Sequence, residues 1–205
     1  MKSGWRAAIY GGIVCVTIAA SGCAAKYKAM AEAAQSELSP VTIAQDDRLK
    51  IHIHEALLTE QGLSGLALSI YVFMAKAFVV GRTDNAGQAA DIVKVVRQVA
   101  GVRSVEGYLP VKTSPTSDNS AEGLTSDITL KGKITSALAL TPGVVKSRIH
   151  TEVLDGHVVL LGVVSGQPEQ LKAEQAAAQN EGVKSVTNWL LLPESGYMSI
   201  RRKIR

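Results

Sequence analysis

Four histidines, two cysteines and a terminal run of cations carry most of the reactive chemistry in this chain. His52 and His54 fall two apart in a predicted helix, where only three- and four-residue spacings share a face, so their rings diverge. His150 and His157 flank Asp155-Gly156, a two-residue hairpin signal that does not set them opposite one another. No cysteine accompanies these imidazoles, so neither a metal site nor a cofactor is expected. Nucleophile elbows, phosphate loops and paired carboxylates are missing from any convincing context, so no catalytic residue is expected and the chain reads as a non-enzyme. The tail is different: Arg201, Arg202, Lys203 and Arg205 put four cations within five residues, just after Tyr197 and Met198. Each cation held near an anionic surface adds about 1 kcal/mol of attraction. The plain alternative is a solubilising end.

Charge distribution narrows the partners. The formal net charge is +4, but Lys2, Arg6 and the four tail cations account for more than that excess, and the remaining sixteen cations face eighteen acids. The body is therefore near neutral, which argues against a nucleic-acid groove with cations spread over a folded face. At the other end, residues 1–22 read as an export signal. A short basic start precedes the apolar run Ala7–Ala20, too short for a membrane span of about 20 residues. Cys15 lies inside that run and would leave with it, so Cys23 is the one cysteine of the mature chain and no disulfide forms. Residues 23–45, rich in Ala, Lys, Glu and Gln, read as a tether.

The elements between these ends come in two copies 81 residues apart. Val79-Val80-Gly81 matches Leu160-Leu161-Gly162, and Gly101-Val102-Arg103-Ser104-Val105 matches Gly182-Val183-Lys184-Ser185-Val186. The same spacing pairs Asp46 with Asp127, Leu49 with Leu130, Ile53 with Ile134 and Tyr108 with Trp189. In copy one, residues 46–112, Asp46 or Asp47 is placed to cap a helix bearing Leu49, Ile53 and Leu57. Alternating Leu66, Leu68, Ile70 and Val72 predict a strand, Ala77–Gly81 its return, with a turn near Ala75-Lys76. A helix capped at Asp84 and a last strand, Val105–Val111, follow. Residues 113–126, rich in Ser and Thr, read as a linker, and copy two runs over 127–192 before the basic tail, 193–205. The fold class is α+β: two tandem αββαβ units, each with two helices on a small three-stranded mixed sheet.

The glycine after each second strand (Gly81, Gly162), the Gly-Val-x-x-Val entries (Gly101, Gly182) and the acidic helix openings (Asp46, Asp127) resemble the BON domain family, named for bacterial osmotically inducible and nodulation proteins. These four glycines are taken as structural, Gly81 and Gly162 as places where a helix approaches the sheet closely. Ala20-Ser21-Gly22-Cys23 resembles the lipobox of bacterial lipoproteins, which implies acylation of Cys23, palmitate included. Ala24 after it implies delivery to the outer membrane's periplasmic face, the alternative being a soluble periplasmic protein. Together the layout resembles dual-BON outer-membrane lipoproteins, implying anionic phospholipid as partner and a role in envelope integrity under stress. In that group the second domain's first helix engages lipid with an exposed aromatic, where this chain has Thr129. Ile128, Lys131 and Lys133 are the residues left to dip into headgroups and reach phosphates. The competing expectation is an envelope protein adaptor or stress chaperone, docking through Leu66–Gly81, expected to be an exposed apolar segment. Oligomeric state, and whether the copies pack together, are left open.

Overall fold

A computed structural model describes residues 37–112 and 121–197. Ser39-Pro40 starts the first helix: the Ser39 hydroxyl accepts from the Thr42 N–H at 3.1 Å, and proline at the first helical position gives up no bond. Helix α1 (Pro40–Thr59) therefore begins inside the expected tether, and it turns Leu49, Ile53 and Leu57 inward. Asp46 is not its cap. It lies in the second turn, where its buried carboxylate accepts the Met74 N–H at 2.8 Å and the Ala75 N–H at 2.9 Å. Those two amides form the turn between β1 (Leu68–Phe73) and β2 (Lys76–Gly81), one position before the expected turn. Met74 and Ala75 both take positive φ, +53° and +61°, unusual for residues with side chains. Helix α2 (Ala86–Gln98) is capped by Asn85 rather than Asp84, and β3 (Ser104–Tyr108) lies parallel to β2.

The second copy repeats this plan with α3 (Ala121–Leu140), a 3-10 turn (Lys146–Arg148), β4 (Ile149–Leu154), β5 (His157–Val163), α4 (Gln167–Ala178) and β6 (Ser185–Leu191). Helix α3 starts within the expected linker. Asp127 again sits inside the helix and accepts from the hairpin amides, Asp155 N–H at 2.8 Å and Gly156 N–H at 3.1 Å. The paired acids thus tie helix to hairpin in both copies. The sheet orders are β1-β2-β3 and β4-β5-β6, each with one antiparallel and one parallel pairing.

One face of each sheet carries its own helices over a core centred on Ile53, Val79 and Ile92, or on Ile134, Leu160 and Ala173. The opposite faces pack on each other. Phe78, Val80, Val159 and Leu161 are buried between the sheets, with Tyr71, Phe73, Tyr108 and Trp189 around them. The body is a four-layer sandwich, helices outside and two sheets within, so β2 and β5 are apolar on both faces. This overturns the exposure expected for Leu66–Gly81: its outward residues Tyr71, Phe73, Phe78 and Val80 are covered by the second copy.

The packing has an approximate two-fold relation. Tyr71 donates its hydroxyl hydrogen to Glu152, its own counterpart 81 residues on. Arg82 pairs with Asp155 and Asp127, while the counterpart contact, Val163 with Met74, is apolar. Gly162 shows why the repeat keeps glycine after the second strand: φ is +142°, and a Cβ would overlap the Arg148 carbonyl oxygen. At Gly81 a Cβ would lie 2.7 Å from the Ala67 carbonyl oxygen. The close neighbour is thus the chain entering the adjacent strand, not a helix. Gly101 and Gly182 follow α2 and α4, with φ +99° and +95°.

Candidate functional site

Helix α3 carries the residues nominated for lipid contact, and its geometry separates them. Lys131 and Lys133 are two apart, so their side chains leave the helix far apart around its axis. Lys131 turns toward the sheet and pairs with Glu152 at 2.9 Å. Glu152 also accepts from Tyr71, making Lys131 part of the contact between copies. Burial first, then the Glu152 carboxylate, pushes the Tyr71 phenol pKa up, so it stays a neutral donor. Lys133 points the other way, into an open cleft of about 540 Å³. Thr125, Ser126, Thr129 and Leu130 from α3 and Glu181-Gly182 beyond α4 line the rest of it. Thr125, Thr129 and Lys133 follow four-residue spacing and form one ladder of polar groups. Ile128, outside that lining and five residues from Lys133, is 71% exposed, an unusual position for isoleucine. The cleft thus combines three hydroxyl side chains with one ammonium and the Glu181 carboxylate.

Cys23, Arg201, Arg202, Lys203 and Arg205 lie outside the described residues. Among the described residues no group of three or more His, Cys, Asp or Glu side chains converges as metal ligands would. His150 lies across from Leu161 and its ring sits 5.0 Å from that of Tyr71, whereas His157 lies across from Leu154 and bonds Ser185 at 2.7 Å. Among the described residues no helix is long and apolar enough to cross a membrane.

A second polar cluster escaped sequence reasoning. Glu194 accepts from Lys76 at 2.8 Å and Arg103 at 3.0 Å, and Arg103 also donates to the Tyr197 hydroxyl at 3.2 Å. The two cations hold the Glu194 carboxyl below the usual carboxylate range. Pro193-Glu194-Ser195-Gly196 has the composition of a loose tail, and nothing in it announces partners about a hundred residues away.

The BON domain family model matches residues 45–113 and 126–192. The chain belongs to the BON domain family. This BON-domain protein is 30% identical over 144 residues to osmotically-inducible protein Y of Escherichia coli (strain K12), with 70% of each chain covered. It is also similar to the C-terminal domain of CdsD, a structural protein of the Type III secretion system of Chlamydia trachomatis. That match has a TM-score of 0.29 and 12% identity, over 73% of this chain and 67% of the other. A second CdsD structure gives a TM-score of 0.29 and 14% identity, over 78% and 69%.

Proposed function

We propose that this BON-domain protein is a non-enzymatic envelope protein, anchored by acylated Cys23 to the periplasmic face of the outer membrane. There it engages anionic phospholipid through α3 and supports envelope integrity under stress. The observation that supports the lipid contact is Ile128, 71% exposed near the start of the same helix that carries Lys133. An aliphatic side chain entering the acyl boundary and a cation at phosphate depth make a weak interfacial contact, which a covalent anchor converts into stable attachment. Lys131 is left out of this role because Glu152 engages it. Family membership and the relative induced by osmotic stress support an envelope setting.

A protein-docking role is favoured by one observation, exposed Ile51 and Leu58 on one face of α1, seven residues apart. Co-sedimentation of the chain from Cys23 onward with phosphatidylglycerol or cardiolipin vesicles separates the two. Lipid contact predicts binding that weakens in Lys133→Glu and Ile128→Ser but not in Ile51→Ser. Absence of binding by every form sinks the lipid proposal. Mass spectrometry of the mature amino terminus tests the anchor, and an unmodified Cys23 removes it.

A further inference from the structure

The outer face of α1 differs from its counterpart in the second copy. Thr42, Asp46, Leu49, Ile53 and Leu57 are the buried residues of α1. At about 100° per residue, Ala44, Arg48, Ile51, Glu55 and Leu58 fall on the opposite side, and all five are exposed. Ile51 is 57% exposed and Leu58 51%, both large aliphatic chains turned to water. The same stripe on α3, 81 residues on, is Thr125, Thr129, Gly132, Ser136 and Ala139, small or polar throughout. Copy one instead carries two large aliphatic side chains and two opposite charges there.

Arg48 and Glu55 stand about two turns apart, too far along the axis to pair with each other. No acid lies three or four residues from Arg48, and no Lys or Arg lies so from Glu55. Among the described residues neither has an ion-pair partner elsewhere. Their placement is self-complementary across a two-fold axis, where a surface meets its own copy in reverse order. With the axis at Ile51 and the helices antiparallel, Ala44 lies seven residues to one side and Leu58 seven to the other. Arg48 and Glu55 lie three and four residues away, so they match to within one residue, or about 1.5 Å. Ile51 then stacks on its own copy, and small Ala44 leaves room for Leu58 of the partner subunit. Arg48 reaches Glu55 of the partner subunit, once on each side of the axis. Parallel helices would instead set like charge on like charge.

We propose that α1 is a self-association surface, through which two copies of this chain join by antiparallel contact of their outer stripes. This supplies the partner for the exposed α1 residues noted above, and it stands or falls independently of lipid contact through α3. A single helix pair is small beside the roughly 1,200–2,000 Å² of a stable interface, so association is weak and needs high protein concentration.

Sedimentation equilibrium of the chain from Cys23 onward reads the association, with reductant present so that Cys23 forms no disulfide. The parent moves from monomer toward dimer as its concentration rises to about 1 mM. Ile51→Glu brings two carboxylates together on the axis and stays monomeric. Arg48→Glu or Glu55→Arg alone turns two attractions into two repulsions and weakens association about tenfold. The double variant Arg48→Glu/Glu55→Arg restores opposite charges across the axis and regains the parent value. All four variants keep the parent unfolding midpoint in dilute solution, because the three side chains are exposed. A parent that is monomeric at about 1 mM overturns the inference. So does a double variant that associates no better than either single one, because the dimer then forms through another surface. A monomeric parent whose vesicle binding is lost in Lys133→Glu defeats this inference and leaves the lipid function standing. A charge-swap-sensitive dimer that ignores vesicles does the reverse.

Discussion

Phe78→Ala tests whether the two BON domains form one cooperative body. Phe78 is 2% exposed, between the sheets, with its ring centre 5.5 Å from that of Trp189 and 6.1 Å from that of Phe73. A buried aromatic removes about 150–250 Å² from water. At about 25 cal/mol per Å² this is worth about 4–6 kcal/mol, against about 3–5 kcal/mol for typical Phe→Ala changes in cores. If the copies stood apart, Phe78 would lie on a solvated sheet face, and its loss would cost about 0.5 kcal/mol or less. Urea unfolding followed by Trp189 fluorescence decides the matter, because the reporter is in the other domain. A loss of about 4 kcal/mol with a slope of about 2 kcal/mol per molar urea lowers the midpoint by about 2 M. Phe78→Leu, which keeps most of the apolar volume, costs about 1.5 kcal/mol or less and guards against outright unfolding. An unmoved Trp189 midpoint in both variants, or two separate transitions in the parent, would refute the sandwich as one cooperative unit.

Further outcomes follow from individual residues and one pair. Gly132 lies inside α3 with open space where a Cβ would go, so Gly132→Ala stabilises by about 0.5–1 kcal/mol in thermal unfolding, whereas Gly162→Ala costs about 3 kcal/mol or more through strain and overlap with Arg148. Tyr71→Phe and Glu152→Gln, taken as a double-mutant cycle in urea, show a coupling of about 1.5–3 kcal/mol, the range of a hydrogen bond to a charged group. At Glu169 burial pushes the pKa up, but the Ser165 hydroxyl and N–H, the Val145 N–H and Arg148 outweigh it, leaving the carboxyl below its ordinary 4.5. A depressed folded pKa means that the contribution is present above the unfolded value and is lost as pH falls through the folded one. Glu169→Gln is therefore about 2 kcal/mol less stable near neutral pH, and that gap closes below about pH 4.5 in pH-dependent denaturation.

The αββαβ order and the 81-residue repeat were legible because each rests on local signals: alternation in the strands, helical spacing of Leu49, Ile53 and Leu57, and glycines after the helices. The first hairpin turns one residue before the position its sequence suggests, because positive φ normally announces itself through Gly or Asn. Here it falls on Met74 and Ala75, held by Asp46 from 28 residues away and by complete burial of Met74. Asp46 looked like a cap for the same reason: its side chain does accept backbone amides, though those of a distant turn. The start of α1 was written in Ser39-Pro40, but the tether-like composition around it masked the signal. The packing of sheet on sheet also left a trace. Ala77–Val80 and Val158–Leu161 are apolar at consecutive positions, and a strand needs that only when both its faces are covered. At the candidate site, helical spacing by itself separates Lys131 from Lys133. The carboxylate that takes Lys131 could not be foreseen, because Glu152 is 21 residues away. The fastening of Glu194 and Tyr197 onto the first copy left no trace at all.

The approximate two-fold relation between the copies has an evolutionary consequence. In a pair of identical subunits every substitution appears at both ends of the axis, so a surface cannot specialise at one end only. Covalent linkage removes that restriction. Position 82 is an arginine bound to acids, and its counterpart 163 is a valine in an apolar cluster. Thr129 and Lys133 in the cleft correspond to Arg48 and His52 in the first copy. Among the described residues, Leu38 and Tyr197 pack at the end near Met74. Duplication here supplies two copies of one scaffold, and fusion leaves each free to acquire a different surface.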